Sequence, residues 1–371
     1  MRRESLLLSA ALVLVPAFAP ADVSRTADRT ALFLVHTSAR GELRTRVIAV
    51  DLSLRRVIWE RETRDTFEVR VPRLGGLLFF PHGREGRLEC LNAATGRVAW
   101  ELRLDPFRMA TPIDARTVLI GGRNDRVTCV RRTATGFETV WSVRIPDQEA
   151  RELLVAGNRI VIPTYREVWC IRLSDGGRVW RHVPAGGASC TYAMLLSGGR
   201  VISWDWWGAR VEALSLETGE VLWAQAAAAP WVFGEARGRL LLRSGEGGRL
   251  RAVEPANGRE VWGSTGLAPQ VGLGGTSDDL AYMPFVGPIL LEGDAWFVSA
   301  DRSQALQTDT GSGVVRARRV FAQPLVGAAP AGRFHCFAEA GLLHFVPPEG
   351  RGGWTLELSE PILHLRHLLR P

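Results

Sequence analysis

The chain has 371 residues, 46% hydrophobic and 23% charged, enough apolar material for one large repeat fold or two average domains, which excludes a disordered chain. Its net charge of +7 comes from 46 basic and 39 acidic residues, and every basic residue is arginine. The lack of lysine excludes Schiff-base chemistry and a P-loop, while the net charge permits an anionic partner without demanding one.

In chain order, "MRRES" is a basic stretch followed by an apolar run, Leu6 to Ala19, too short to span a bilayer. Ala19-Pro20-Ala21 fits a small-x-small cleavage site, so residues 1–21 read as a signal peptide and 22–371 as the mature chain. No later segment is long and apolar enough for a membrane span.

The rest of the chain repeats. Trp59, Trp100, Trp141, Trp180, Trp223 and Trp262 lie 41, 41, 39, 43 and 39 residues apart, and Trp354 follows after 92 more. That last gap holds one further unit, "QALQTDTGSGVV", with Val315 in the tryptophan slot, plus an insertion at about residues 264–293. Four residues before the tryptophan stands a glycine (Gly96, Gly176, Gly219, Gly258, Gly350), and Gly311 takes that place before Val315. Such a glycine supplies the positive φ of a tight turn. Arg55 replaces it in the first unit, which predicts a different turn there. Ten residues before the tryptophan the chain is small: Ala49, Cys90, Cys170, Ala213, Ala252 and, before Val315, Ala305, with Cys129 joining if its turn is two residues longer. Each unit opens on an apolar β-type run such as "ALFLV" (31–35) or "GLLFF" (76–80). Four short strands in about 40 residues make one propeller blade, and eight units predict an all-β, single eight-bladed β-propeller of four-stranded blades.

The pattern small-apolar-polar-x-x-Thr-Gly-x-x-x-Trp resembles the repeat of the PQQ-like, quinoprotein-type β-propellers over about residues 31–371. In architecture and size it also resembles the periplasmic propeller of the outer-membrane β-barrel assembly machinery. The resemblance implies that each tryptophan packs over the turn of the neighbouring blade, and a valine at 315 then implies a looser joint. The family includes quinone-dependent dehydrogenases that hold the cofactor and a calcium ion on the propeller axis, often above a disulfide of adjacent cysteines. This chain has no adjacent cysteine pair, and no residue matches their catalytic aspartate.

Cys90, Cys129 and Cys170 occupy equivalent slots in successive blades, whose sheets stand about 10 Å apart, whereas a disulfide needs Cα atoms within about 7 Å. They are expected to be buried free thiols; the pairing of Cys190 and Cys336 stays open. No metal ligand set is expected from His364 and His367, from His335 beside Cys336, or from the loop pair Asp278-Asp279, although a calcium contact on that pair is an alternative to a solvated loop. Arg46, Arg87, Arg126, Arg210, Arg249 and Arg302 recur at one slot, which predicts a ring of guanidinium groups for an anionic partner; the alternative is a strand start that tolerates any polar residue. "SWDWWGAR" places Trp204, Trp206 and Trp207 in a turn of the fifth blade as candidate partner contacts, with Trp204 at the strand end equally suited to the core.

After Trp354 the segment 361–369 has no ninth blade to join, and the first blade lacks an innermost strand. Pairing 361–369 with 31–35 hides both edges, so the C-terminal strand is expected to close the first blade, with Ile362, Leu365 and Leu368 inward. The function expected is an exported, monomeric, non-enzymatic scaffold of the periplasm or cell exterior. It binds an envelope or extracellular protein and takes no cofactor, metal or nucleic acid. The alternatives are a quinone-dependent dehydrogenase and a carbohydrate- or polyanion-binding propeller.

Overall fold

The structure is a computed structural model. It describes residues 29–39, 42–63, 71–122, 125–145, 152–164, 166–184, 193–205, 209–228, 230–244, 249–264, 289–290, 294–299, 302–349, 352–359 and 362–367. Residues 1–21, expected to be a signal peptide, together with Cys190, Trp206, Trp207, the Asp278-Asp279 pair and Leu368, lie outside the described residues.

The described strands group into eight four-stranded blades. Blade 1 contains β1 (Thr30–Ala39), β2 (Glu42–Asp51) and β3 (Arg56–Thr63). Blade 2 is β4 (Arg73–Leu74), β5 (Leu77–His82), β6 (Arg87–Asn92) and β7 (Val98–Arg103). Blade 3 is β8 (Phe107–Pro112), β9 (Thr117–Gly122), β10 (Arg126–Arg132) and β11 (Phe137–Arg144). Blade 4 is β12 (Leu154–Ala156), β13 (Arg159–Pro163), β14 (Val168–Arg172) and β15 (Arg178–His182). Blade 5 is β16 (Ala193–Ser197), β17 (Arg200–Asp205), β18 (Arg210–Ser215) and β19 (Val221–Ala226). Blade 6 is β20 (Trp231–Ala236), β21 (Arg239–Ser244), β22 (Arg249–Val253) and β23 (Glu260–Ser264). Blade 7 is β24 (Ile289–Leu290), β25 (Asp294–Val298), β26 (Gln304–Asp309) and β27 (Val315–Val320). Blade 8 is β28 (Gly327–Ala331), β29 (Phe334–Glu339), β30 (Leu342–Val346) and β31 (Trp354–Glu357), and β32 (Ile362–His367) follows. All pairings within blades are antiparallel, and first strands of successive blades touch, as β12 touches β16 and β20 touches β24, which sets them innermost. Among the described residues, no helix is long and apolar enough to cross a membrane.

The core lies between blades. Side chains alternate across each strand, so one strand feeds two joints. Leu78 and Phe80 of β5 pack toward blade 1, while Phe79 between them packs toward blade 3. Eight buried clusters result, each drawn from two neighbouring blades.

The tryptophan of one blade rests on the glycine turn of the next. Trp180 Nε1 donates to the Leu216 carbonyl at 2.9 Å, three residues before Gly219, and a Cβ on Gly219 would lie 2.6 Å from the indole. The same bond joins Trp59 to Ala93 (3.2 Å), Trp141 to Leu173 (2.7 Å), Trp223 to Pro255 (2.8 Å) and Trp262 to Thr310 (3.0 Å). Trp100 meets the longer turn of blade 3 through the Phe137 ring, with centroids 5.3 Å apart.

Two expectations about the repeat are corrected. Arg55 adopts φ 54°, so the turn of blade 1 has the left-handed conformation of the glycine turns rather than a different one, and its guanidinium lies 5.8 Å from the Trp354 ring. In blade 7 the register is two residues later than Ala305, Gly311 and Val315 imply. A bulge follows the small slot in the third strand of blades 1 to 6, and here it follows Gln307, opposite Ala317. The positive φ falls on Gly313 (77°), beneath Trp262. A two-residue slip leaves every side chain on the same face, so alternation alone could not reveal it. The joint between blades 7 and 8 is packed by the fully buried Trp296 with Phe337 (5.5 Å) and by Phe321 with Phe337 (5.4 Å).

Closure follows the expected route. Phe33–Thr37 of β1 pair antiparallel with β32, making it the innermost strand of blade 1, and Leu365 is buried. Gly327 pairs parallel with Leu365, so blades 8 and 1 share one eight-stranded sheet.

Candidate functional site

Each third strand begins where the turn from the second strand ends, and Arg87, Arg126, Arg210 and Arg249 are the first residues of β6, β10, β18 and β22. They face the ends of fourth strands, as Arg87 faces Arg103 and Arg126 faces Arg144, so they share one end of the propeller with the connections between blades. The predicted ring is a broken row of mostly neutralised cations. Arg46 lies 3.3 Å from Glu60, Arg87 contacts Glu85 (3.2 Å) and Glu89, Arg210 lies 3.2 Å from Glu212, and Arg249 lies 2.7 Å from Glu260. Arg126 bonds Ser142 Oγ at 3.4 Å. Glu167 holds the slot in blade 4, where it binds Arg181 and accepts from Trp169 Nε1 at 3.0 Å. With the corrected register Gln304 holds it in blade 7, and Arg302 sits in the preceding turn with φ 60°.

Trp204 is corrected from a candidate contact to a core residue. It lies on β17, is buried, and packs edge-on to Trp231 at 6.5 Å. Register explains this: Trp204 shares the face of Ile202, which points into the joint with blade 6.

The residue before the small slot varies from blade to blade and is charged in three of blades 1 to 7. It is Glu89 in blade 2, Glu212 in blade 5 and Arg251 in blade 6. Both glutamates are buried and take a nitrogen partner from the preceding blade, the Arg61 guanidinium for Glu89 and the His182 imidazole (3.1 Å) for Glu212. Burial alone would raise the Glu89 carboxyl; His82 beside it, with the charges of Arg61 and Arg87, outweighs that and lowers it to about 2. In blade 6, Arg251 and Arg249 share Glu260, and Arg251 Nη1 donates to Ser244 Oγ at 3.1 Å. Between these groups and alanines 226–228 lies a pocket of about 340 Å³, open to the same end of the propeller.

The buried thiols and the buried His335 are unsuited to nucleophilic or general-base work at neutral pH. Cys90, Cys129, Cys170 and Cys336 are free and buried. Burial pushes Cys90 up to about 12 and Cys170 up to about 11, far from the thiolate a nucleophile needs. His335 faces Trp296 and is held by burial at about 4, hence neutral. Among the described residues no group of three or more His, Cys, Asp or Glu is gathered to hold a metal ion.

Residues 84–356 match the PQQ-type repeat family described as outer membrane protein assembly factor BamB. The chain belongs to that family. Among solved structures it is similar to BamB from Moraxella catarrhalis (TM-score 0.54, 12% identity, 85% of this chain and 93% of that one). It is similar as well to the dihydro-heme d1 dehydrogenase NirN (TM-score 0.60, 13% identity, 91% and 75%) and to a europium-containing methanol dehydrogenase (TM-score 0.53, 13% identity, 87% and 82%). At these identities the likeness is one of fold. No curated protein sequence matches the chain.

A quinone cofactor with its calcium needs oxygen ligands at the axis. The described innermost strands, β4, β8, β12, β16, β20, β24, β28 and β32, carry one carboxylate, Glu235. These strands do not fit that group.

Proposed function

We propose that the chain is an exported, monomeric, non-enzymatic scaffold of the cell envelope. It docks a protein partner on the propeller end that carries the second-to-third-strand turns. The observation that carries this reading is membership of the BamB family over residues 84–356. The character of the site supports it: cations paired across strands, thiols held protonated by burial and a neutral buried histidine suit a rigid recognition surface. Arg87, Arg126, Arg210 and Arg249 are proposed to meet the partner, with Trp206 and Trp207 of the intervening segment in blade 5. A localisation in the periplasm or outside the cell follows from the leader-like residues 1–21 and is part of the proposal.

The test is cross-linking of the tagged full chain in its own cells, followed by fractionation and identification of captured proteins. The expected result is envelope recovery with an outer-membrane β-barrel assembly protein attached. Recovery in the cytoplasm, or saturable pyrroloquinoline-quinone binding with dye-linked alcohol oxidation, would overturn it.

A further inference from the structure

We propose that the pocket between blades 5 and 6 binds a carboxylate carried by a protein partner, an aspartate or glutamate side chain of an acidic segment. The proposal rests on the scaffold reading and names the chemistry of its partner.

The charge at one repeat position reverses sign at this joint. In the joints between blades 1 and 2 and between blades 4 and 5, the position before the small slot is a buried glutamate facing a nitrogen-bearing side chain of the preceding blade, Arg61 or His182. In the joint between blades 5 and 6 that position is Arg251. Gln225 lies two residues beyond Trp223, as Arg61 lies beyond Trp59 and His182 beyond Trp180, so the register turns it toward blade 6. Its Nε2 is buried without a hydrogen-bond partner. The joint thus has donors on both sides where those two joints have donor and acceptor.

Nearby charges leave an excess. Arg249 and Arg251 supply two positive charges and Glu260 one negative, a net of +1 on the pocket wall. Each Glu260 oxygen takes one guanidinium, Oε1 from Arg249 at 2.7 Å and Oε2 from Arg251 at 2.6 Å. Two guanidinium groups carry ten N–H bonds, so most donors are left for a second acceptor. The pair lies against Gly263, where a Cβ would collide with both the Arg249 guanidinium and the Glu260 carboxylate. Where Gly263 stands after its tryptophan, other blades have Glu60, Glu101 or Arg181. Alanines 226–228 form the remaining wall, low and apolar, suited to the methylenes of an acidic side chain.

A net of +1 matches a monoanionic carboxylate. The methylenes of an acidic side chain meet the alanine wall, a contact that inorganic phosphate cannot make.

The test titrates the full chain with a short fluorescent peptide of alternating glutamate and glycine at low salt. Saturable binding is expected, with no binding of the glutamine–glycine analogue and no displacement by inorganic phosphate. Arg249→Gln and Arg251→Gln are each expected to weaken binding about tenfold, the loss of a charge-assisted pair. Arg259→Gln, in the same blade at the opposite end, is expected to leave it within about twofold. Gln225→Glu guards against a folding artefact: it supplies the missing carboxylate internally, so it should raise the melting temperature while abolishing peptide binding. Equal binding by Arg251→Gln, binding of the glutamine peptide, or displacement by phosphate overturns the proposal. So does Arg251→Gln losing the peptide while still capturing the envelope partner, which leaves the scaffold reading standing. Wild-type chain that binds the peptide but captures no envelope protein overturns the scaffold reading and leaves the carboxylate specificity of the pocket intact.

Discussion

Gly327 of blade 8 lies so close to Leu365 of the C-terminal strand that a Cβ at 327 would stand 2.6 Å from the Leu365 carbonyl oxygen and 2.7 Å from its Cβ. This contact joins the last blade to the first. The obstructing atoms include backbone, which cannot rotate away. Gly327→Ala is therefore expected to destabilise the protein by about 1–3 kcal/mol, the usual cost of overpacking. Truncation after Ser359 removes β32 and uncovers the inner edge of β1, including the buried Phe33 and Val35, and is expected to cost several kcal/mol. Thermal and urea melts decide both; a truncated chain that melts within a degree or two of the intact one would refute this closure.

At the repeating joint, Trp180→Ala is expected to cost about 3–5 kcal/mol. Gly219→Ala places a side chain at φ 75° against that same indole, and the two substitutions should couple by about 0.5 kcal/mol or more in a double-mutant cycle. Additive effects would mean that the two residues do not share one contact.

Arg55 holds φ 54° without being glycine, which costs about 1–2 kcal/mol of backbone strain. Arg55→Ala keeps the strain and loses the contact with Trp354, whereas Arg55→Gly removes the strain. The glycine variant should exceed the alanine variant in stability by about 1 kcal/mol, read from urea midpoints. The opposite order would show that the turn relaxes when the guanidinium is removed.

Glu89 makes an acid-dependent contribution. Its folded value of about 2 lies below the ordinary 4.5, so its stabilisation is complete above pH 4.5 and is lost as pH falls through 2. Glu89→Gln is expected to be less stable than wild type by about 1–3 kcal/mol at neutral pH, with the gap narrowing between pH 4.5 and 2. A gap that is constant over this range would exclude the ionised carboxylate as its source.

His335 titrates in a higher window. Its folded value of about 4 lies below 6.5, so the folded state favours the neutral ring, and this stabilisation is present above pH 6.5 and lost as pH falls through 4. Relative to its own value at neutral pH, His335→Phe should gain about 2–3 kcal/mol on wild type by pH 4. Parallel pH profiles for the two proteins would place the proton elsewhere.

The number of blades and the closing strand were legible in the residues alone, and the tryptophan-on-turn joint followed from the resemblance of the repeat. Those signals are local: a β-type run, a glycine turn and a tryptophan fall within about 40 residues and recur, and an unpartnered strand at each end has one natural mate. Tertiary structure decided what lay across joints. The blade 7 register turned on whether Gly311 or Gly313 bears the positive φ, and a two-residue slip preserves the faces of the strand. Whether the arginine row offers free cations depended on carboxylates that pairing brings near, Glu60 to Arg46 and Glu260 to Arg249. The pocket needed three separate segments, alanines 226–228 from blade 5 and Arg251 and Glu260 from two strands of blade 6. Its sign could have been suspected from Arg251 standing where Glu89 and Glu212 stand, but its volume exists only because the blades pack side by side and alanine and glycine leave the space between them open.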